Sequence, residues 1–201
     1  MLTIGITGQT GCGKTALLRR VEARGGFGVD CDALYYALLR SDDALRAALT
    51  DAFGDVFLPD GGLDRKKLAG IVFSDAAELA RLNEIVYFHV RRAVEALQTK
   101  ERARGCALFA VDAINLIQSG LSALCDVTVG VTAPEAVRLA RIMTRDGIGR
   151  EYALQRIRAQ ESEDYFRAHC AYILENGEIS PEEFQIRAEA LLDKLIKENA
   201  K

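Results

Sequence analysis

Residues 8–15 read Gly8-Gln9-Thr10-Gly11-Cys12-Gly13-Lys14-Thr15, a G-x-x-x-x-G-K-[ST] run without a mismatch. Its glycines let successive backbone amides turn inward, and a helix opening at its end adds positive potential for a polyphosphate. Lys14 then supplies a point charge to the outer phosphates, and the Thr15 hydroxyl is a ligand for Mg²⁺. With 17 Gly, 7 Lys and few Ser and Thr in the chain, a chance match is on the order of one in 300. Three further groups have types and places suited to phosphoryl chemistry. The pair Asp30 and Asp32 flanks Cys31, Asp112 closes an apolar run, and Arg141 and Arg145 stand four residues apart, on one helix face.

The elements that must carry these residues follow from their surroundings. Leu2–Thr7 is short, apolar and β-branched, a buried strand leading straight into the glycine-rich run. A helix is expected from Thr15 to Arg24, stopped by Gly25-Gly26, and a short strand from Phe27 to Val29. Helical patterning then dominates from Ala33 to Arg104, broken by a turn at Pro59-Asp60-Gly61-Gly62. Further strands are expected at Cys106–Val111, Val127–Val131 and Tyr172–Leu174. Helices are expected from Glu135 to Arg145, from Arg150 through Arg167, and from Pro181 to Lys197. Strands alternating with helices predict a parallel sheet covered on both faces. No repeat, low-complexity tract or linker interrupts the pattern.

Composition narrows the class. The 201 residues are 49% hydrophobic and 27% charged, enough for one domain with a real core. Lys plus Arg total 26 against 29 for Asp plus Glu, a balance that argues against a dedicated nucleic-acid or membrane-surface binder. Five cysteines without a C-x-x-C pair read as reduced thiols of a cytoplasmic protein, and two histidines do not suggest structural zinc. The N-terminal residues show neither a signal peptide nor a spanning apolar run. Cys12 is read as a filler of the loop, although its place close to a helix N-terminus is one that can lower a thiol pKa.

The glycine-rich run followed by Gly28-Val29-Asp30-Cys31-Asp32 resembles the dephospho-CoA kinase family, in which an Asp-x-Asp closes the second strand. Matching pieces continue in order: Phe53-Gly54, Asp60-Gly61-Gly62-Leu63-Asp64-Arg65, Leu82-Asn83 and Asp112-Ala113. Ser119-Gly120-Leu121, Arg141-x-x-x-Arg145-Asp146-Gly147, Ala153-x-x-Arg156-Ile157-x-x-Gln160 and Asn176-Gly177 complete the series over nearly the whole chain. The resemblance implies a three-layer α/β/α P-loop kinase fold with about five parallel strands. It would carry a helical acceptor-binding region over roughly residues 33–104 and a helical lid over roughly 138–160. It also implies transfer of the γ-phosphate of ATP, with Mg²⁺, to the ribose 3′-hydroxyl of dephospho-CoA. Asp32 would be the general base, and Lys14 and Arg145 would stabilise the transferred group. Arg141 and Asn176 would join residues 8–15 in binding ATP, Thr15 and Asp112 would serve the metal, and Arg65 would meet the acceptor.

Several positions depart from that family pattern. The arginine usual four residues after the base position is Tyr36, and the usual His-Pro is Tyr87-Phe88. Pro-Leu-Leu-Phe-Glu is replaced by Ile114-Asn115-Leu116-Ile117-Gln118, and an aspartate before the last strand by Ala171. These changes fall mostly on the acceptor side, so Tyr36, Tyr87 and Gln118 are the residues expected to meet dephospho-CoA here. The alternatives are a kinase for another nucleoside, nucleotide or small alcohol, and a nucleotide-binding regulatory protein without turnover. The expected partner is a small molecule, with the chain working as a monomer or weak homo-oligomer.

Overall fold

A computed structural model of the protein describes residues 1–199. The first strand, β1 (Leu2–Gly8), is followed by helix α1 (Lys14–Ala23) and strand β2 (Phe27–Asp30). Helices α2 (Cys31–Ser41), α3 (Asp43–Phe53), α4 (Arg65–Val72) and α5 (Ala76–Ala103) come next. The remainder alternates: β3 (Leu108–Asp112), β4 (Val127–Thr132), α6 (Glu135–Asp146), α7 (Arg150–Arg158), α8 (Glu163–His169), β5 (Tyr172–Glu175) and α9 (Pro181–Asn199). The chain divides into two compact units, Met1–Asp30 with Gln98–Lys201, and Cys31–Leu97.

The first unit holds a five-stranded parallel sheet in the order β2-β3-β1-β4-β5. Central β1 is buried on both faces, as parallel sheets require. On one face Ile4 and Ile6 pack with Leu17, Leu18 and Val21 of α1 and with Phe184, Ala188, Leu192 and Leu195 of α9. On the other, β1 has little room: a Cβ at Gly5 would stand 2.7 Å from Leu116 Cδ2 and 2.9 Å from Cys125 Sγ. Every strand runs parallel, so Gly8, Asp30, Asp112, Thr132 and Glu175 all end at one edge of the sheet. The chain leaves β1 toward β2 and leaves β3 toward β4, in opposite directions along the sheet. Ligands of open α/β sheets gather at such a divergence.

Between α7 and α8 the structure corrects the sequence-based expectation of one helix from Arg150 through Arg167. The helix stops at Arg158, and Ser162 restarts it by accepting a hydrogen bond from the Tyr165 amide. The residues freed by the break, Gln160 and Glu161, accept hydrogen bonds from the glycine-rich loop.

The second unit is helical. Leu39, Leu45, Leu49, Phe53, Val56, Leu68 and Val72 form its buried core, with Leu79, Leu82 and Ile85 against them. Asp42 and Asp64 cap α3 and α4 through their side chains. The turn at residues 59–62 is closed by a bridge between Phe57 and Leu63, and the Arg46 guanidinium donates to Gly61 O (2.7 Å) and Leu39 O (2.8 Å). His89 is buried with its ring nitrogen 3.0 Å from Asp42 Oδ2, so its place in the fold is structural.

Candidate active site

The loop between β1 and α1 has backbone angles that suit glycine. Gly13, at the N-terminus of α1, sits at φ 106° and ψ 22°, a left-handed conformation that an L side chain rarely adopts. A Cβ there would stand 2.2 Å from Asn176 Nδ2. The Lys14 ammonium folds back over the loop, donating to Gly8 O (3.0 Å) and Gln9 O (3.3 Å). A cation held by two carbonyls at a helix N-terminus is placed for an incoming anion to recruit. Thr15, in the first turn of α1, is exposed, with its hydroxyl open to a ligand.

Three side chains from distant segments hold this loop. Asn176, just past β5, is buried and donates through Nδ2 to Cys12 O (2.8 Å), while its amide donates to Thr132 O (2.7 Å). Arg141 of α6 donates to Asn176 O (3.1 Å), Asn176 Oδ1 (3.2 Å), Gly177 O (3.4 Å) and Gly11 O (3.4 Å). Gln160 accepts from the Thr10 amide through Oε1 (2.8 Å), and Gln9 Nε2 donates to Glu161 O (2.9 Å). Arg141 and Asn176 thus stand beside the loop, and their hydrogen bonds run to its backbone and to one another. By sequence Gln160 lies inside the helix expected from Arg150 through Arg167 and closes the Ala153-x-x-Arg156-Ile157-x-x-Gln160 piece of the resemblance, with no role attached; its bond to the Thr10 amide ties it to the loop.

Burial decides the state of Cys12. Its side chain is fully buried, and burial outweighs the favourable charge of Lys14, so the thiol pKa is pushed up rather than down.

The carboxylates fall at the strand edge. Asp30 and Asp112 are register partners on β2 and β3, and Asp112 is in turn aligned with Ile6 of β1. Side chains at paired positions of parallel strands point to the same face, so the two carboxylates share a side of the sheet. Asp112 is buried and Asp30 exposed. Asp32 is exposed in the first turn of α2, two residues beyond the end of β2.

Arg145 stands elsewhere in its interactions. It is exposed and binds Asp146 through Nε (2.7 Å) and Nη2 (3.1 Å), and Arg156 of α7 binds the same carboxylate at 2.5 Å. The two guanidinium groups hold the Asp146 pKa down at about 2. Gln118 is exposed, with Nε2 3.4 Å from Glu161 Oε1. Within the helical unit, Arg65 and Tyr36 come together: the guanidinium carbon lies 4.7 Å from the ring centroid, over its face. Tyr87 is half-buried on α5.

Comparison with known proteins places the chain over almost its full length. Residues 2–181 match the family model for dephospho-CoA kinase. A dephospho-CoA kinase of Anaeromyxobacter dehalogenans is 37% identical over 193 residues, covering 96% of this chain and 91% of that one. A crystal structure from Thermus thermophilus superposes with a TM-score of 0.78 at 34% identity, covering 96% of this chain and 97% of the other. The dephospho-CoA kinase of Campylobacter jejuni shares the fold, with a TM-score of 0.70 at 20% identity and 98% of each chain covered. With the glycine-rich loop, the strand order and the late Asn-Gly all in place, the chain belongs to the dephospho-CoA kinase family.

Proposed function

We propose that the protein transfers the γ-phosphoryl group of ATP to the ribose 3′-hydroxyl of dephospho-CoA, giving CoA and ADP. The observation that carries this reading is the phosphate loop: an unmismatched motif folded with Gly13 left-handed, Lys14 across its carbonyls and a helix opening behind it, in a chain matched to the family over residues 2–181. The loop amides and Lys14 bind and orient the polyphosphate, and Asn176 and Arg141 keep the loop in that shape. Asp32 accepts the proton of the acceptor hydroxyl. Arg145 releases Asp146 and contributes its charge to the transferring group. The exposed Thr15 hydroxyl and the strand-edge carboxylate of Asp112 fit a divalent cation, and Mg²⁺ bound there supplies charge neutralisation of the phosphates.

On the acceptor side, Tyr36, Arg65, Tyr87 and Gln118 meet dephospho-CoA. The stacked pair of Tyr36 and Arg65 offers both an aromatic face and a cation to an adenosine phosphate. We also place the protein in the cytoplasm as a monomer or weak homo-oligomer, a compartment supported by five cysteines that are all free thiols.

ADP release from Mg-ATP, with and without dephospho-CoA, tests the reading. ADP should form only with dephospho-CoA present, and Asp32→Asn should slow it by about 10² or more while ATP affinity is kept. Binding of ATP without turnover on dephospho-CoA would turn the assignment toward another acceptor or a non-catalytic role.

A further inference from the structure

Arg138, the fourth residue of α6, leaves only 5% of its surface exposed, an unusual place for a guanidinium. Its Nε donates to Ala133 O (3.0 Å) at the end of β4, but Nη1 is buried with no hydrogen-bond partner among the described residues. The backbone of the same residue presses on the phosphate loop: a Cβ at Gly11 would stand 2.9 Å from Arg138 O and 3.2 Å from its Cα. The neighbouring loop residue, Cys12, is within electrostatic reach of the guanidinium and is itself uncharged. Two carboxylates, Glu135 and Glu163, also favour its charge from a distance, and neither forms an ion pair with it among the described residues. Glu135 is exposed to solvent, and Glu163 is bound by Arg167 at 2.6 Å. Burial lowers the Arg138 pKa, as expected of a charge held away from water without a close partner.

A buried cation short of a hydrogen-bond partner is costly, so what it does for a ligand must be weighed against what it takes from stability. We propose that Arg138 is a fixed cation of the polyphosphate site, holding positive potential behind Gly11 and Cys12 that is compensated when a nucleoside polyphosphate occupies the loop. This rests on the nucleotide-binding reading above, and adds to it a residue that acts through the field rather than by contact. Because the interaction is between charges, its strength grows with the number of phosphates on the ligand. A purely packing role for the side chain has no such dependence.

The test is calorimetric titration of the full chain with ATP, ADP and AMP at low and moderate salt, alongside thermal unfolding. The variants are Arg138→Gln, which keeps a donor for Ala133 O, and Arg138→Lys, which keeps the charge. Arg138→Gln should weaken ATP by about tenfold, ADP less and AMP least, with a flatter salt dependence and a melting temperature unchanged or raised. Arg138→Lys should stay within about threefold of the parent for all three ligands. Equal losses for the three nucleotides, no loss at all, or a fall in stability with graded affinity intact would overturn the proposal. Should Arg138→Gln not fold, Arg138→Met is read the same way, and failure of both to fold assigns the side chain to packing and overturns it as well. Absence of ATP binding by the unsubstituted protein strikes the nucleotide-site reading first and takes the proposal with it.

Discussion

Gly13 and Asn176 offer a double-mutant cycle whose outcome can be worked out in advance. Replacing Gly13 by Ala meets two separate costs. The backbone at φ 106° is unfavourable for an L residue by about 1–2 kcal/mol. The new Cβ also stands 2.2 Å from Asn176 Nδ2, so the amide must leave and its bond to Cys12 O is broken. An unsatisfied buried group of that kind costs about 1–3 kcal/mol. Gly13→Ala alone should therefore cost about 2–5 kcal/mol. Asn176→Ala alone should cost about 1–3 kcal/mol, because Arg141 keeps its bonds to Asn176 O, Gly177 O and Gly11 O. In the double variant the clash is gone and the hydrogen bond is lost only once. The two single losses should exceed the double loss by about 1–3 kcal/mol. Urea unfolding of the four proteins measures this directly, and thermal unfolding should show shifts of about 2–4 °C per kcal/mol. Additivity within about 0.5 kcal/mol would mean that Asn176 is not pressed against the loop, and that something else holds the loop in shape.

Other consequences are quicker to check. Cys12 should resist iodoacetamide at pH 8 with or without ATP and react only on unfolding, while the partly exposed Cys106 reacts in the native protein; mass spectrometry of the labelled peptides decides it. Gln160→Glu should keep the acceptor for the Thr10 amide, and hence the melting temperature, yet weaken ATP by about tenfold by placing a negative charge beside the phosphate loop; an unchanged affinity would contradict the contact. Asp146 has a folded pKa of about 2, below its unfolded value, so the stabilisation it gives is complete above the unfolded pKa and is lost as pH falls through about 2. Stability measured from pH 5 down to pH 2 should fall less steeply in Asp146→Asn, with no difference in slope between pH 6 and 8.

The sequence carried the sheet because its strands are continuous apolar runs that end in Gly8 or Asp112, and the loop because its chemistry is fixed by spacing. Strand and helix limits differed by a residue or two, the usual fraying of ends. What stayed hidden depends on tertiary contact. The break after Arg158 has no glycine or proline to announce it; its cause is that Gln160 and Glu161 bond to Thr10 and Gln9, about 150 residues upstream. Asn176-Gly177 reads as an ordinary turn, and only the fold shows that the asparagine amide reaches the Cys12 carbonyl. Arg138 carries no motif of its own, and its burial beside Leu139 and Ile142 on α6 is visible only in the fold. Arg145 was legible as a helix-face partner of Arg141, but its side chain is turned to Asp146, a local pairing that sequence adjacency alone does not rank above a phosphate contact.

The strand order also bears on how the chain first acquires its sheet. Neither β1 nor β2 touches the other: β1 pairs with β3 and β4, β2 with β3 alone, and Leu2 finds its partner at Leu108. A nascent chain whose ribosome has reached residue 97 therefore holds two strands and no partner for either. The helices of residues 31–97 complete their own core in that interval, since Leu39, Leu45, Leu49 and Leu68 meet only segments already made. Until β3 emerges, the apolar β1 is an unsatisfied edge, the kind of segment that chaperones hold and aggregates recruit. Synthesis at about 5–20 residues per second makes that wait several seconds long. Slowing translation between α5 and β3 should thus cost yield of soluble protein more than the same delay placed after β5.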